Sequence, residues 1–140
     1  MPLDLTSLKK AVRSLEMALD FANSPDKLNG LTESQKDVIR AGGIQNFEFT
    51  YELCWKFMKR WLEKNLGSAY VDGIPRRELF RIAVESHLIT QIEDWFEYHD
   101  ARNETAHTYD KDTALEVFST AQKFLPAAKE LLKNLELKND

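Results

Sequence analysis

The sequence predicts an all-α, antiparallel up-and-down helical bundle, with four long helices and one short one. Two observations lead there. Glycine (5) and proline (4) are scarce among 140 residues, and no stretch alternates apolar and polar side chains with period two. Apolar residues instead recur at steps of three and four along nearly the whole chain, the spacing of one helix face. A hydrophobic content of 43% is enough for a core, and a chain of this length buries roughly 68–70% of its unfolded surface. With no internal repeat, low-complexity tract or linker, residues 1–140 are expected to form one domain.

The first helix is marked by Leu8, Val12, Leu15, Leu19 and Ala22 and ends at Asn23-Ser24-Pro25, where proline disfavours continuation. A loop with the turn pair Asn29-Gly30 follows. Thr32 and Gln35 have capping-box spacing for a second helix that nothing forces to stop before Leu66. Such a helix is a rod of roughly 50 Å, and Gly42-Gly43 is either its weak point or a place of close packing. One face carries Ile44, Phe47, Tyr51, Cys54, Met58 and Trp61, and Phe49, Leu53 and Phe57 form a nearly opposite stripe. A helix apolar on two sides needs two partners, which points to a subunit interface as well as a core.

Gly67 to Gly73 reads as a loop, and Pro75 suits the first turn of a short third helix facing inward through Leu79, Ile82, Ala83 and Leu88. A fourth helix starts near Thr90, with Ile92, Trp95 and Phe96 apolar. The last opens after Tyr109, capped by Asp110, Asp112 or Thr113, and shows Leu115, Phe118, Ala121, Leu125, Ala128, Leu132 and Leu135. Pro126 lies inside that pattern, so a kink is expected there, and the charged tail after Leu137 is expected to fray.

Composition narrows the function classes. A net charge of −4 is unlike a basic nucleic-acid coat or a polybasic membrane anchor. Any nucleic-acid contact requires a local positive cleft, built by folding or by dimerisation. The single cysteine, Cys54, rules out an intrachain disulfide and suits a reducing compartment. No signal-peptide pattern opens the chain, and no run approaches the ~18–20 apolar residues that span a bilayer. A cytoplasmic protein without membrane contact is expected.

The chemistry concentrates in Asp100-Ala-Arg-Asn-Glu-Thr-Ala-His-Thr-Tyr109. Ile92, Trp95, His99, Arg102 and Ala106 share one helical stripe, so Arg102 continues an inward-facing side. Arg102 and His107 are five residues apart, about 140° around an ideal helix. They converge only if the helix ends between them or a second subunit supplies part of the site. Metal-free RNA cleavage needs a base of near-neutral pKa for the 2′-hydroxyl, which histidine provides. It also needs a fixed cation on the phosphoryl oxygens, which arginine supplies bidentately. Asn103 can orient the phosphate or the imidazole. The competing reading is a polar set that caps a helix end and satisfies loop carbonyls.

Other residues weigh less. His99, one turn before Arg102, is a candidate substrate contact, and His87 reads as structural or surface. Arg76, Arg77 and Arg81 give a cleft its positive rim, or else form the solvated face of the third helix. Glu48, Glu52 and Lys56 read as ordinary i,i+4 surface pairs. Trp55, Trp61 and Trp95 read as core or interface anchors, and Cys54 as packing. No helical metal-ligand spacing is present, so no metal and no cofactor are expected.

The run Arg102-Asn103-Glu-Thr-Ala-His107-Thr-Tyr109 resembles the signature of the HEPN superfamily, in its branch encoded beside minimal nucleotidyltransferases. Phe47-Glu-Phe-Thr-Tyr-Glu-Leu-Cys-Trp-Lys56, Pro75-Arg-Arg-Glu-Leu-Phe80 and Asn103 to Asp110 extend the resemblance to the small nucleotidyltransferase substrate-binding proteins, over nearly the full length. It implies a bundle that dimerises, with the Arg/His motifs of two subunits lining a shared cleft. It further implies a toxin in which Arg102 and His107 cleave RNA, Asn103 assists, and Tyr109 is adenylylated by a partner nucleotidyltransferase that neutralises it. An older reading of the same family makes it the non-catalytic subunit that holds a nucleotide or other substrate for that transferase. This chain has no Gly-Ser pair with spaced aspartates to perform transfer itself. A plain helical dimerisation protein is the third reading.

Overall fold

The described residues, 1–139, form seven α-helices and one 3₁₀ turn in this computed structural model. Four of the helices are long: α1 (Thr6–Ala22), α3 (Glu33–Leu66), α6 (Ile92–Glu104) and α7 (Lys111–Leu137). α5 (Arg76–Glu85) is the short one, and α2 (Pro25–Leu28) and α4 (Ser68–Val71) are single turns within the two segments expected to be loops. The 3₁₀ turn spans Thr105–His107. Among the described residues no helix is long and apolar enough to cross a membrane.

α3 is the axis of the bundle, and α1, α4, α5, α6 and α7 all pack on it. Its start is fixed by the expected capping box: Gln35 N–H donates to Thr32 Oγ1 at 3.1 Å and Thr32 N–H to Gln35 Oε1 at 2.9 Å. It runs unbroken for 34 residues to a left-handed Gly67. Gly43 is a place of close packing: a Cβ there would sit 3.0 Å from the Phe118 ring and 3.6 Å from Leu19, whereas one at Gly42 meets nothing within 4 Å. The face from Ile44 to Met58 is buried as expected, and Trp61 is half-buried. The second stripe divides. Phe57 is buried and Leu53 packs partly on the core, but Phe49 remains 41% exposed.

α7 buries Ala121, Ala128 and Leu135 as expected, but fills the rest of the stripe with Val117, Phe124 and Leu131, each one residue before an expected position. Leu115 is exposed, while Phe118, Leu125 and Leu132 only flank the core. The helix carries two interleaved apolar stripes, and aromatic packing chooses between them. The Phe124 ring is fully buried, 5.1–6.2 Å from the rings of Phe47, Tyr51, Trp95 and Tyr98, mostly edge-to-face. Pro126 does not end the helix. The tail is tied down through residue 139, contrary to the expected fraying. Leu3 N–H donates to Asn139 Oδ1 at 2.7 Å, and Asn139 Nδ2 donates to Leu3 O at 2.9 Å.

α5 begins directly after Pro75 and ends in a Schellman motif, with His87 in the left-handed position (φ 61°) and Leu88 N–H bonded to Ala83 O. His87 is thus a capping residue, in accord with its structural reading. α6 then carries Trp95, Tyr98 and Ala101 into the core and delivers the signature stretch at its far end.

Candidate functional site

Three side chains from three helices meet where α5 and α6 lie against the middle of α3. Arg102, in the last turn of α6, donates from Nε to Glu52 Oε1 at 3.0 Å. Arg76, the first residue of α5, donates from Nη1 to the same oxygen at 3.3 Å. All three side chains are about one quarter to one third exposed, 25% for Arg76, 28% for Glu52 and 32% for Arg102. Two guanidinium groups thus share one carboxylate, and the cluster carries an excess positive charge that faces solvent. In a chain of net charge −4 this is the local positive patch that an anionic ligand requires.

Aromatic groups fix the surroundings. The Arg76 guanidinium lies over the Trp55 ring at 4.2 Å and over the Tyr51 ring at 5.7 Å. Tyr51 is fully buried, and its hydroxyl is 2.9 Å from His99 Nδ1. Burial raises the Tyr51 pKa well above that of an ordinary phenol, against the opposing pull of Arg76. The phenol therefore keeps its proton, and its hydroxyl shares one hydrogen bond with Nδ1, in the direction that the His99 tautomer sets. Burial first, and the Arg76 charge second, lower the His99 pKa from its ordinary 6.5. Both effects favour the neutral imidazole.

The helix ends after Glu104, between Arg102 and His107, one of the two conditions set by their spacing. Thr105 Oγ1 caps the end by donating to Arg102 O at 2.7 Å, and Thr108 Oγ1 donates to Thr105 O at 3.1 Å. Asp110, one of three expected caps, accepts from Thr113 N–H at 3.0 Å and starts α7. The intervening turn presents His107 and Tyr109 to solvent, their rings edge-to-face at 6.3 Å, with Tyr109 88% exposed. Tyr109 borders a cleft of about 150 Å³ shared with Asp37, Arg40 and Lys111.

Of the residues expected at the site, Arg76, His99 and Arg102 are brought together. Three are not. Asn103 turns to an acidic cleft between α6 and α7, lined also by Glu97, Asp100, Glu104 and Glu116. Arg77 stacks on Phe96 at 4.6 Å, and His107 stands with Tyr109 rather than with Arg102. Among the described residues no group of three or more His, Cys, Asp or Glu is placed to hold a metal ion.

Residues 3–137 match the family described as "Nucleotidyltransferase substrate binding protein like". The chain belongs to that family. Its sequence is 33% identical over 138 residues to a curated Haemophilus influenzae relative named "Probable ribonuclease HepT", covering 98% of this chain and 94% of the relative. The fold of this family member superposes on a solved Haemophilus influenzae structure with a TM-score of 0.91 at 32% identity, over 95% of this chain and 99% of that one. That structure is described as revealing the fold of a substrate binding domain of a nucleotidyltransferase. A Thermus thermophilus structure shares the fold alone, with a TM-score of 0.72 at 24% identity, over 91% of this chain and 98% of that one.

Sequence reasoning missed three contributors. Glu52 read as one of the i,i+4 surface pairs, but its bridges run to α5 and α6. Tyr51 read as core alone, and Trp55 as an anchor. The available signal was their place in the run Phe47 to Lys56, where Glu52 sits between the buried Tyr51 and the half-buried Leu53.

Proposed function

We propose that this family member is a ribonuclease toxin of a two-gene module, using Arg102 and His107 without a metal, and silenced when a minimal nucleotidyltransferase adenylylates Tyr109. The observation that carries the reading is the Arg76–Glu52–Arg102 cluster, which holds the signature arginine rigidly beside an uncompensated positive charge. His107 is the general base for the 2′-hydroxyl, and Arg102 stabilises charge on the phosphoryl oxygens. The name of the Haemophilus relative supports the activity, and the family's tie to nucleotidyltransferases supports the partner. The exposure of Tyr109 gives a modifying enzyme access.

The site is completed across a homodimer. Two α-helical and three 3₁₀ steps separate Arg102 from His107 by roughly 200° around the axis, so one chain directs them to different sides. Phe49, left 41% exposed on α3 only three residues before Glu52, gives a second copy an apolar anchor beside the cluster.

The test is cleavage of RNA by purified wild type and His107→Ala in the presence of a chelator. Cleavage by the wild type alone supports the reading; an inactive wild type, or an equally active variant, refutes it. The stacking of Arg76 on Trp55 favours a second reading, a non-catalytic subunit that holds a nucleotide for the transferase. Calorimetry with ATP separates them: binding abolished by Arg102→Ala, without RNA cleavage, supports the second.

A further inference from the structure

Two arginines converge on a single oxygen of Glu52, but they are not held alike. Arg76 has a second anchor in the Trp55 ring at 4.2 Å, so its guanidinium is fixed from two directions. For the Arg102 guanidinium, Glu52 is the ionic partner among the described residues, and the bond leaves from Nε. The Thr105 cap fixes the Arg102 carbonyl, not its side chain. A side chain with this many rotamers needs a partner to stay in one geometry. Glu52 can serve as that partner because it stands near the middle of a 34-residue helix whose neighbouring Tyr51 is fully buried.

We propose that Glu52 is a positioning residue, which holds Arg102 by its Nε so that the Nη edge of the guanidinium is presented to the scissile phosphate. The inference rests on the ribonuclease reading above and adds a residue to it. The alternative, in which Glu52 fills the phosphate seat and must be displaced, requires the carboxylate to occupy the Nη fork. The contact runs through Nε alone and leaves that fork to a bidentate phosphate partner. Charge gives the inference a direction. Removing Glu52 unfixes Arg102 while making the patch more positive, so chemistry and binding move apart.

The experiment measures steady-state RNA cleavage and thermal unfolding for wild type, Glu52→Ala, Glu52→Gln and His107→Ala. Glu52→Ala is expected to lower kcat about tenfold or more, because a misplaced cation loses its preorganised stabilisation. Its KM for RNA is expected to stay equal or fall, since a negative charge has left the cleft. Glu52→Gln keeps an acceptor oxygen in place and should recover part of the loss, and it carries the test if the alanine variant does not fold. Unchanged kcat, a gain in activity, or a raised KM with kcat intact overturns the proposal while the ribonuclease reading stands. An inactive wild type overturns both.

Discussion

The Glu52 cluster, which Arg102 joins from the last turn of α6, and the turn that follows that helix are a few residues apart in sequence, yet they are built in opposite ways. Arg76, Glu52, Arg102, Tyr51 and His99 come from three helices, are at least half-covered, and hold one another through ion pairs, a hydrogen bond and ring stacking. His107 and Tyr109 sit on a 3₁₀ turn and the residues after it, exposed, with the turn held by the Thr105 and Thr108 hydroxyls. A cation that stabilises charge at a reacting phosphate must be fixed before substrate arrives. A base that meets a substrate across a dimer seam, and a tyrosine that a second enzyme must reach, have to be accessible. One half of the signature is preorganised and the other is presented.

The contrast is broken most directly by substitutions on its two sides. Arg102→Ala and His107→Ala are each expected to lower RNA cleavage by about 10²-fold or more. Their stabilities should differ. Arg102→Ala removes a half-covered ion pair and packed methylenes and should cost about 1 kcal/mol, while the exposed His107→Ala should stay within about 0.5 kcal/mol of wild type. Equal unfolding midpoints for the two would erase the distinction.

A smaller effect lies behind the cluster, at Tyr51 and His99. The folded His99 pKa lies below 6.5, so as pH falls past that value the unfolded chain takes up a proton that the folded one resists. Stability contributed by neutral His99 is therefore present above about pH 6.5 and lost below it. Tyr51→Phe removes the hydroxyl bonded to Nδ1 and should cost about 1 kcal/mol at neutral pH. It should leave the acid dependence in place, because burial and the Arg76 charge, which lower the His99 pKa, both remain. Urea unfolding from pH 5 to 8 measures both, and a flattened slope would place the cause in the Tyr51 bond instead.

The smallest expected effect is at the glycine pair. Gly42→Ala, with open space around its Cβ, should stabilise α3 by about 0.5–1 kcal/mol. Gly43→Ala should gain less, or lose, since its Cβ meets Phe118 at 3.0 Å. Thermal unfolding of the two ranks them.

Local signals made most of this fold legible. Thr32 and Gln35 gave the start of α3, Pro75 the start of α5 and Asp110 one of three candidate starts of α7, because caps are short-range chemistry. Part of the α7 stripe was misplaced because Phe118-Leu125-Leu132 and Phe124-Leu131 are equally helical on paper. Only the aromatic cluster formed by other helices around Phe124 decides between them. The same limit applied at the site. Arg102 was visible from its motif and stripe, but Glu52 gained its partners from α5 and α6, 24 and 50 residues away in sequence. The tie between Leu3 and Asn139 spans nearly the whole chain and leaves no local trace.

The central claim is that Arg102 of one copy works with His107 of another, and mixing two dead variants tests it. Arg102→Ala and His107→Ala, each inactive alone, are denatured together, refolded at equal amounts and assayed on RNA. Random pairing puts half the dimers in mixed form, each with one intact site of two, so about a quarter of wild-type activity should return. A mixture as inactive as its components would contradict the shared site.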